Sequence, residues 1–358
     1  SYLRNGPPIR TTDYTVIVPV TDTLLDTYTG INIRRFLQTA VALAADNDGR
    51  VLLLGVETVS DEATLETVRE YVQTEQPTDA DATDAVKTIE ERQTQLAEMA
   101  TVAEELAPNV PVSAAVRAVT DTTEGILDIL SGGTETAVLL LRGAGLDEGW
   151  LLTRSTIDAI LADAECDVFV ENMGVQGEEE ENALYVPNVD GHTVASLANS
   201  EAETIDSILL PVGTGPHSAL AAEAARAVAR ASDASVTVLH VISPDASAEV
   251  TTDGEDLLKF ADYVLGSDVR TETELREASD IPDAIMQEAT AHDFISMGVP
   301  EQKSRLEQLG FESVPETLSE LSEATVLMTR DSDRMTRSLY YRWKRGIEEM
   351  ADDDASES

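Results

Sequence analysis

The chain is poor in several residue types, and each scarcity narrows what it can be. Cys166 is its one cysteine, so no intrachain disulfide can form and nothing points to an oxidising compartment. Four histidines (His192, His217, His240 and His292) lie far apart, without the spacing of metal ligands. No run approaches the roughly 18 consecutive apolar residues of a membrane-spanning helix. The sequence therefore predicts no disulfide scaffold, no metal site and no span within these residues.

Positive charge is also scarce. The 358 residues include 68 acidic and only 24 basic ones, for a net charge of −44, and four of the basic residues are lysine. Such a surface repels phosphates, so we expect no nucleic-acid partner. Acid spread over every helix, with arginine preferred to lysine and 4% aromatic residues, is typical of a salt-loaded cytoplasm. We favour adaptation to that solvent over a specific acidic binding face, and predict a halophilic, cytoplasmic protein.

A short stretch occurs twice. Tyr14–Val20 and Ser207–Val212 are both β-branched or leucine-rich, both end in Pro-Val, and both precede a polar or glycine-rich turn and an alanine-rich helical pattern. Proline near the end of a buried parallel strand cannot donate a ladder hydrogen bond. The same awkward residue at the same place twice indicates a duplicated unit.

Apolar periodicity predicts alternating strands and helices in both copies. Strands are predicted over 14–20, 51–56, 110–119, 137–141 and 167–171, with helices over 33–44, 60–76, 79–106, 122–131 and 155–164. The second copy has predicted strands over 207–212, 235–241, 268–276, 294–297 and 325–329, with helices over 217–231, 254–265, 281–291 and 313–322. This order predicts the α/β class, as two tandem five-stranded, mostly parallel, doubly wound units.

Changes in composition divide the chain into five segments. The predicted units cover 13–172 and 206–331. An extended, basic segment (1–12) precedes them, an acidic linker (173–205) separates them, with 184–186 as a candidate edge strand, and a basic-aromatic helix with an acidic tail (332–358) follows.

The C-terminal tail departs from the acidic composition. Residues 334–345 contain five basic residues, three aromatic residues and no acid. Met335, Leu339, Trp343 and Ile347 recur every four residues, which places them on one helical stripe. A membrane-surface helix is one interpretation. Because the Debye length falls to about 3 Å in concentrated salt, we favour packing of the stripe on an acidic domain or a partner chain.

The ordered set of motifs resembles the universal stress protein family, over 13–172 and 206–331 as a tandem pair. The resemblance rests on the strand ending in Pro-Val, on the alanine-rich helix Ala219–Ala231, and on the end of each unit. There, Ser155-Thr156 or Ser313-Val314 begins a short helix that leads to a final apolar strand. The resemblance implies a Rossmann-like fold. It also implies a homodimer formed through the last strand of each unit, Val168–Glu171 and Val326–Thr329.

Nucleotide-binding members of that family place an Asp directly after Pro-Val and a Gly-x-x-Gly-x9-Gly-Ser loop before the last helix. Here Thr21 and Gly213 stand at the Asp position. The three glycine positions hold Leu141, Ala144 and Arg154 in the first copy, and Val299, the run 300–302 and Glu312 in the second. Glu312 would repel phosphate and Pro300 lacks an amide donor, so we expect no ATP in the second copy.

The first copy keeps a partial set of candidate anion-binding residues. These are Thr21, Arg142, Gly143, Gly145, Arg154, Ser155 and Thr156. Glycine lets backbone amides approach a phosphate, and a helix N-terminus favours one, so weak binding of ATP or AMP is one interpretation. A loop that simply turns is the other, and we prefer it: no cofactor is expected.

An enzyme has little support in the sequence. There is no Gly-x-Ser-x-Gly motif and no Cys/His pair. Carboxylates are too abundant for any one pair to stand out as acid and base. His217, in Gly-Pro-His-Ser, faces the carboxyl ends of the strands, and a capping or surface role is favoured over catalysis.

Two functions remain open. The first is a non-enzymatic regulatory and dimerisation module. It resembles the cytoplasmic C-terminal region of archaeal amino-acid permeases and cation–chloride cotransporters, with a transmembrane transporter domain in the same polypeptide. The chain begins at Ser1, and its basic first segment, with Arg4 and Arg10, fits the cytoplasmic positive bias next to a membrane. The alternative is a stand-alone tandem universal stress protein that binds an adenine nucleotide.

Overall fold

The computed structural model describes residues 14–25, 33–74, 80–131, 135–142, 146, 154–172, 204–215, 217–299, 324–332 and 343. The chain divides into two compact units. The N-terminal unit comprises Thr11–Val170 and Gly177–Glu203, and the C-terminal unit comprises Ser1–Arg10, Glu171–Gln176 and Thr204–Ser358. Among the predicted features, the segment 1–12, the strand 184–186, the helix 313–322 and all of the tail except Ser332 and Trp343 lie outside the described residues.

The N-terminal unit is built on a parallel sheet with strand order β3-β2-β1-β4-β5. Parallel pairing joins β1 to both β2 and β4, and β2 to β3. Its strands are β1 (Thr15–Val20), β2 (Arg50–Thr58), β3 (Val112–Val119), β4 (Thr136–Leu141) and β5 (Asp167–Asn172). Its helices are α1 (Asp22–Leu25), α2 (Ile33–Asp46), α3 (Glu62–Thr74), α4 (Ala80–Leu106), α5 (Thr122–Leu130) and α6 (Thr156–Asp163).

The strands of the C-terminal unit are ordered β10-β9-β6-β7-β8. Parallel pairing joins β6 to β7 and β9, β7 to β8, and β9 to β10. Its strands are β6 (Ser207–Pro211), β7 (Ser235–Ile242), β8 (Arg270–Glu277), β9 (Phe294–Gly298) and β10 (Thr325–Arg330). Its described helices are α7 (Ser218–Ser232), α8 (Ala248–Leu265) and α9 (Ile281–Ala289). The predicted α/β class with a mostly parallel sheet is confirmed.

The two Pro-Val strands occupy the same place in their sheets. Pro19 pairs with Leu54 and Pro211 pairs with Leu239, and each proline is the fifth residue of its strand. β1 and β6 each lie between two parallel neighbours, and most of their residues are buried. Strands covered on both faces need continuous apolar runs, which explains why neither strand alternates polar and apolar residues.

Several predicted boundaries are corrected. The sequence pattern does not predict α1, which is only one turn long. β3 begins at Val112 rather than 110, because the Val110 amide bonds to the Ala107 carbonyl (2.9 Å) and Pro111 has no amide. α8 begins at Ala248 rather than 254, after Ser247, whose Oγ accepts from the Val250 amide (3.3 Å).

Gly254 explains the misplaced start of α8. Glycine is unfavourable inside a helix, so its presence six residues into α8 weakens the local helical pattern. In the structure Gly254 is buried in α8, and a Cβ on it would lie 2.7 Å from His240 Cδ2 and 2.9 Å from Leu275 Cδ1. The missing side chain lets the helix approach β7 and β8 closely.

In the part of the chain that the structure describes, no helix is long and apolar enough to cross a bilayer.

Replacing Gly254 by alanine tests this close approach. Helix propensity alone favours alanine by about 1 kcal/mol, whereas the steric conflict is expected to cost about 1–3 kcal/mol. We expect Gly254→Ala to lower the free energy of unfolding, measured by chemical denaturation. Gly215→Ala is the control, because a Cβ there meets no atom within 4 Å. A Gly254→Ala variant more stable than the parent chain would contradict the packing argument.

Candidate functional site

The strand order places a ligand-accessible edge in each unit. In open α/β sheets, ligands bind at the carboxyl ends of the strands, where successive connections leave in opposite directions. Those points lie between β1 and β4 in the N-terminal unit and between β6 and β9 in the C-terminal unit. Because β1 and β4 are parallel neighbours, Thr21 and Arg142, which directly follow them, lie at one edge.

Thr21, the residue at the family's Asp position, caps a helix. Its Oγ1 accepts a hydrogen bond from the Leu24 amide at 3.4 Å, at the first turn of α1. This use of a threonine hydroxyl is ordinary N-capping. A short helix therefore follows the strand at the place where the resemblance implies contact with a nucleoside.

The hydroxyls of Ser155 and Thr156 also take part in the fold. Ser155 is buried and caps α6, its Oγ accepting from the Asp158 amide at 3.1 Å. Thr156 Oγ1 lies 2.8 Å from Thr123 Oγ1, at the N-terminus of α5. Arg142 is half-buried and Arg154 is exposed at the same edge. Gly143 and Gly145 lie outside the described residues.

Sequence reasoning missed a cluster of charges at this edge. Arg92 of α4 contacts the Asp22 carboxylate, and its Nη2 lies 3.5 Å from Glu57 Oε2. Asp22 follows β1 and Glu57 lies near the end of β2, so both acids come from carboxyl ends of the sheet. The Arg92 side chain is 9% exposed, and those of Glu57 and Asp22 are 16% and 74% exposed.

Gly55 allows Arg92 to come this close. A Cβ on Gly55 would lie 2.7 Å from Leu96 Cδ1 and 3.1 Å from Arg92 Cγ. Arg92 also stands three residues after Ile89 and four before Leu96, on the buried stripe of α4. A lone basic residue in an otherwise apolar stripe is the signal that could have revealed the cluster.

Burial dominates the electrostatics of Arg92 and Glu57. Loss of water raises the pKa of the Glu57 carboxyl and lowers the pKa of the Arg92 guanidinium. Arg92 Nε and Glu57 Oε2 are buried without a hydrogen bond, and Nη1 donates to Gln95 Oε1 at 3.3 Å. The cluster therefore places the Arg92 cation between the Asp22 and Glu57 carboxylates at the carboxyl ends of β1 and β2.

The corresponding loop of the C-terminal unit is closed by its own helix. Ser218 Oγ donates to the Gly213 carbonyl at 2.9 Å and accepts from the Gly213 amide at 3.2 Å. Gly213, the second residue at the family's Asp position, thus has both backbone groups bonded to the first turn of α7. The Gly213 amide is therefore occupied by Ser218 in this structure.

His217 connects the start of α7 to the end of β10. Its Nδ1 accepts a hydrogen bond from the Asp331 amide at 3.0 Å, and Thr329 Oγ1 donates to its carbonyl at 3.3 Å. The sequence predicts a capping or surface role for this side chain. It makes no capping bond to α7, so the capping alternative is wrong, and its contact with Asp331 is structural. An Nδ1 that accepts carries no proton, and the neutral ring then holds its proton on Nε2.

The other described histidines and the cysteine also have structural contacts. His240 Nδ1 lies 2.8 Å from the Val212 carbonyl, and the two ring nitrogens of His292 lie 2.9 Å from the Glu288 carbonyl and 3.1 Å from Thr237 Oγ1. Cys166 is a buried free thiol, as the sequence predicts. Within the described ranges, no group of three or more metal-ligating side chains could hold a metal ion.

These observations define a doubly wound α/β protein. Hydroxyl and charged side chains at the carboxyl ends of its strands contact other groups of the protein. Residues 204–330, about a third of the chain, match the universal stress protein family. The C-terminal unit therefore carries a domain similar to that family. No curated protein sequence matches the chain.

Three solved structures are similar to this chain to different extents. A universal stress protein from Archaeoglobus fulgidus DSM 4304 is 16% identical with a TM-score of 0.50, covering 89% of this chain and 97% of that one. The cytoplasmic domain of a prokaryotic cation chloride cotransporter is 14% identical with a TM-score of 0.49, covering 91% and 99%. A universal stress protein in complex with cAMP is 19% identical with a TM-score of 0.30, covering 37% and 100%. At these identities the likeness concerns the fold.

The raised pKa of Glu57 predicts a pH-dependent effect of Glu57→Gln. The folded state binds this proton more tightly than the unfolded chain, so the carboxyl stabilises the fold below its ordinary pKa of about 4.3. That contribution is lost as pH rises through the raised pKa. We expect the free energy of unfolding of Glu57→Gln, relative to the parent chain, to increase between pH 4 and pH 7.

Denaturant titrations at both pH values measure the difference. Glu62→Gln, on the exposed first turn of α3, is the matched control and should show a smaller change with pH. Equal changes in the two variants would show that burial of Glu57 does not control its ionisation.

The bond between His217 and Asp331 is testable by two substitutions. His217→Leu removes the acceptor and should lower the free energy of unfolding by about 1 kcal/mol, the usual net value of such a bond. It should also speed hydrogen exchange at the Asp331 amide. His217→Asn places an oxygen near the position of Nδ1 and should restore part of the protection. Unchanged exchange in the Leu variant would rule out the bond.

Proposed function

We propose that this chain is a non-enzymatic regulatory and dimerisation module with a universal stress protein-like fold, and that it forms the cytoplasmic C-terminal domain of a membrane amino-acid or cation transporter of a halophile. The observation that carries the proposal is the state of the two ligand edges. Around each edge, described hydroxyl groups are bonded within the protein itself: those of Thr21, Ser155 and Thr156 in the N-terminal unit, and that of Ser218 in the C-terminal unit.

In the N-terminal unit, three hydroxyl groups that could contact a nucleotide are already hydrogen-bonded within the protein. Thr21 and Ser155 cap helices, and Thr156 pairs with Thr123. Arg92, the buried cation of this edge, already contacts Asp22 and lies near Glu57. An incoming phosphate would compete with two carboxylates for that guanidinium and would meet their negative charge.

In the C-terminal unit, the Gly213 amide is the backbone donor at the head of the loop. Ser218 already accepts from it at 3.2 Å. His217, on the same turn, is held by the Asp331 amide. A ligand would have to displace these internal bonds, and each displaced group would need a new partner to avoid a cost of about 1–3 kcal/mol.

The described histidines give no support to catalysis. His217 accepts an amide proton, His240 contacts a carbonyl, and His292 has partners at both nitrogens. Catalytic histidines need a ring nitrogen directed at a nucleophile or a substrate. His292 does reach a hydroxyl, that of Thr237, but Thr237 lies near the start of β7 and not at the carboxyl edge of the sheet where ligands bind.

The transporter form of the proposal follows from the resemblance and from the acidic composition. A cotransporter cytoplasmic domain is among the proteins of similar fold. The test is the native reading frame: continuation upstream of Ser1 into several stretches of about 20 apolar residues supports a fused transporter domain. A start codon directly before Ser1 would overturn the fused form.

Homodimerisation through Val168–Glu171 and Val326–Thr329 is part of the same proposal. Sedimentation equilibrium in molar KCl should give about twice the 38.5 kDa mass of the chain. A parent chain that stays monomeric at high concentration would overturn this part.

Adenine-nucleotide binding in the N-terminal unit is the second candidate. Arg142 and Arg154 favour it, because two basic residues lie at one carboxyl edge of a very acidic protein. An exposed arginine can bind a phosphate directly, whereas Arg92 is buried and already contacts carboxylates. The two candidates differ in a single measurement.

Isothermal titration calorimetry of the purified chain with ATP and AMP, in molar KCl, separates the two functions. We expect no saturable heat at micromolar nucleotide. Saturable binding that is lost in Arg154→Ala, and kept in the exposed control Arg69→Ala of α3, would overturn our proposal and establish the second candidate.

A further inference from the structure

The C-terminal tail contacts the C-terminal unit through an aromatic pair. Trp343, 7% exposed, meets Phe260 of α8 edge-on, with ring centroids 5.5 Å apart and an interplanar angle of 60°. This geometry is the favourable T-shaped arrangement of two aromatic rings. Trp343 is the one residue beyond 332 that the structure describes.

Phe260 belongs to an acidic face of α8. Asp253, Asp256, Phe260 and Tyr263 follow one another at three- or four-residue steps and therefore share one side of the helix. We call these four residues the α8 face. Phe260 is buried and the other three are half-buried, and burial raises the pKa of the Tyr263 phenol. Another side of α8 carries exposed acids at Glu255 and Asp262.

The sequence around Trp343 complements this face. The tail segment, residues 334–345, has five basic residues (Arg334, Arg337, Arg342, Lys344 and Arg345) and no acid, although the chain as a whole carries −44. Arg342 and Lys344 flank the tryptophan directly. Of the two acids on the α8 face, Asp256 also accepts from Lys259 at 3.3 Å, so the face carries less than its full negative charge.

We propose that the tail segment is a strap that docks on the α8 face of its own chain, with Trp343 as the apolar anchor and its basic residues directed to Asp253 and Asp256. This inference does not depend on the proposed function. In concentrated salt the charge attraction is screened beyond about 3 Å, whereas apolar burial of Trp343 is not. The anchor holds the strap at high salt, and the charges add to it as salt falls.

Tryptophan fluorescence in a Trp150→Phe background reports on the anchor, because the sequence has two tryptophans. We expect Trp343 to emit at the short wavelength of a buried indole and to resist acrylamide quenching in both 0.3 M and 2 M KCl. Solvent-like emission at both salt concentrations would overturn the proposal.

Neutral substitutions of the acids on the α8 face test the contribution of charge to docking of the tail segment. Asp253→Asn with Asp256→Asn should increase the rate of trypsin cleavage within the tail segment several-fold at 0.3 M KCl, and less at 2 M. Glu255→Gln with Asp262→Asn removes the same charge from another side of α8 and is the matched control. Equal rates in the two double variants would overturn the charge contribution and with it the proposal.

Two further outcomes identify another occupant. If tail protection falls on dilution from micromolar to nanomolar chain, the α8 face belongs to a second copy. If Trp343 is exposed in solution and becomes buried only with vesicles containing anionic lipid, the tail segment is a membrane-surface helix. Either result replaces the intramolecular strap.

Substitutions of the anchor complete the test. Trp343→Phe should keep the protection of the tail segment against trypsin, and Trp343→Ala should lose it.

Discussion

Helices of both units reach the sheet where a glycine leaves out a side chain. At Gly55, α4 comes close enough for Arg92 to contact the acids at the ends of β1 and β2. At Gly254, α8 packs against His240 and Leu275, and Phe260 of the same helix contacts Trp343. Close packing of this kind tolerates little added volume. The charged cluster therefore depends on the distance between α4 and the sheet.

The spacing of apolar residues and the positions of turn residues predict most of the architecture, because both are local features of the sequence. Continuous apolar runs gave the buried strands, and the stripe of α4 gave its helix. The start of α8 could not be predicted in this way, because Gly254 is used for a tertiary contact that lies outside any sequence window. The candidate site shows the same limit. Thr21, Ser155 and Thr156 were identified by position, but their partners Leu24, Asp158 and Thr123 become apparent only in three dimensions.

The acidic residues are of two kinds, which differ in their exposure to solvent. Most carboxylates lie on exposed helix faces, where salt screens them and individual pairs contribute little. Glu57 differs because it is held in a desolvated position beside Arg92. Buried ion pairs of this kind rarely stabilise a fold more than apolar residues would. A cluster kept despite that cost fixes the geometry of the edge, here by holding α4 against the ends of β1 and β2.

The bond between His217 and Asp331 has a consequence for the tail. It fixes the end of β10 to the start of α7, so whatever follows leaves the domain from a defined point. About 12 residues separate Asp331 from Trp343, a tether of at most about 40 Å at about 3.5 Å per residue. A short tether of this kind confers an effective concentration on the order of millimolar. A separate protein competing for the same helix would have to match that concentration or bind correspondingly tighter.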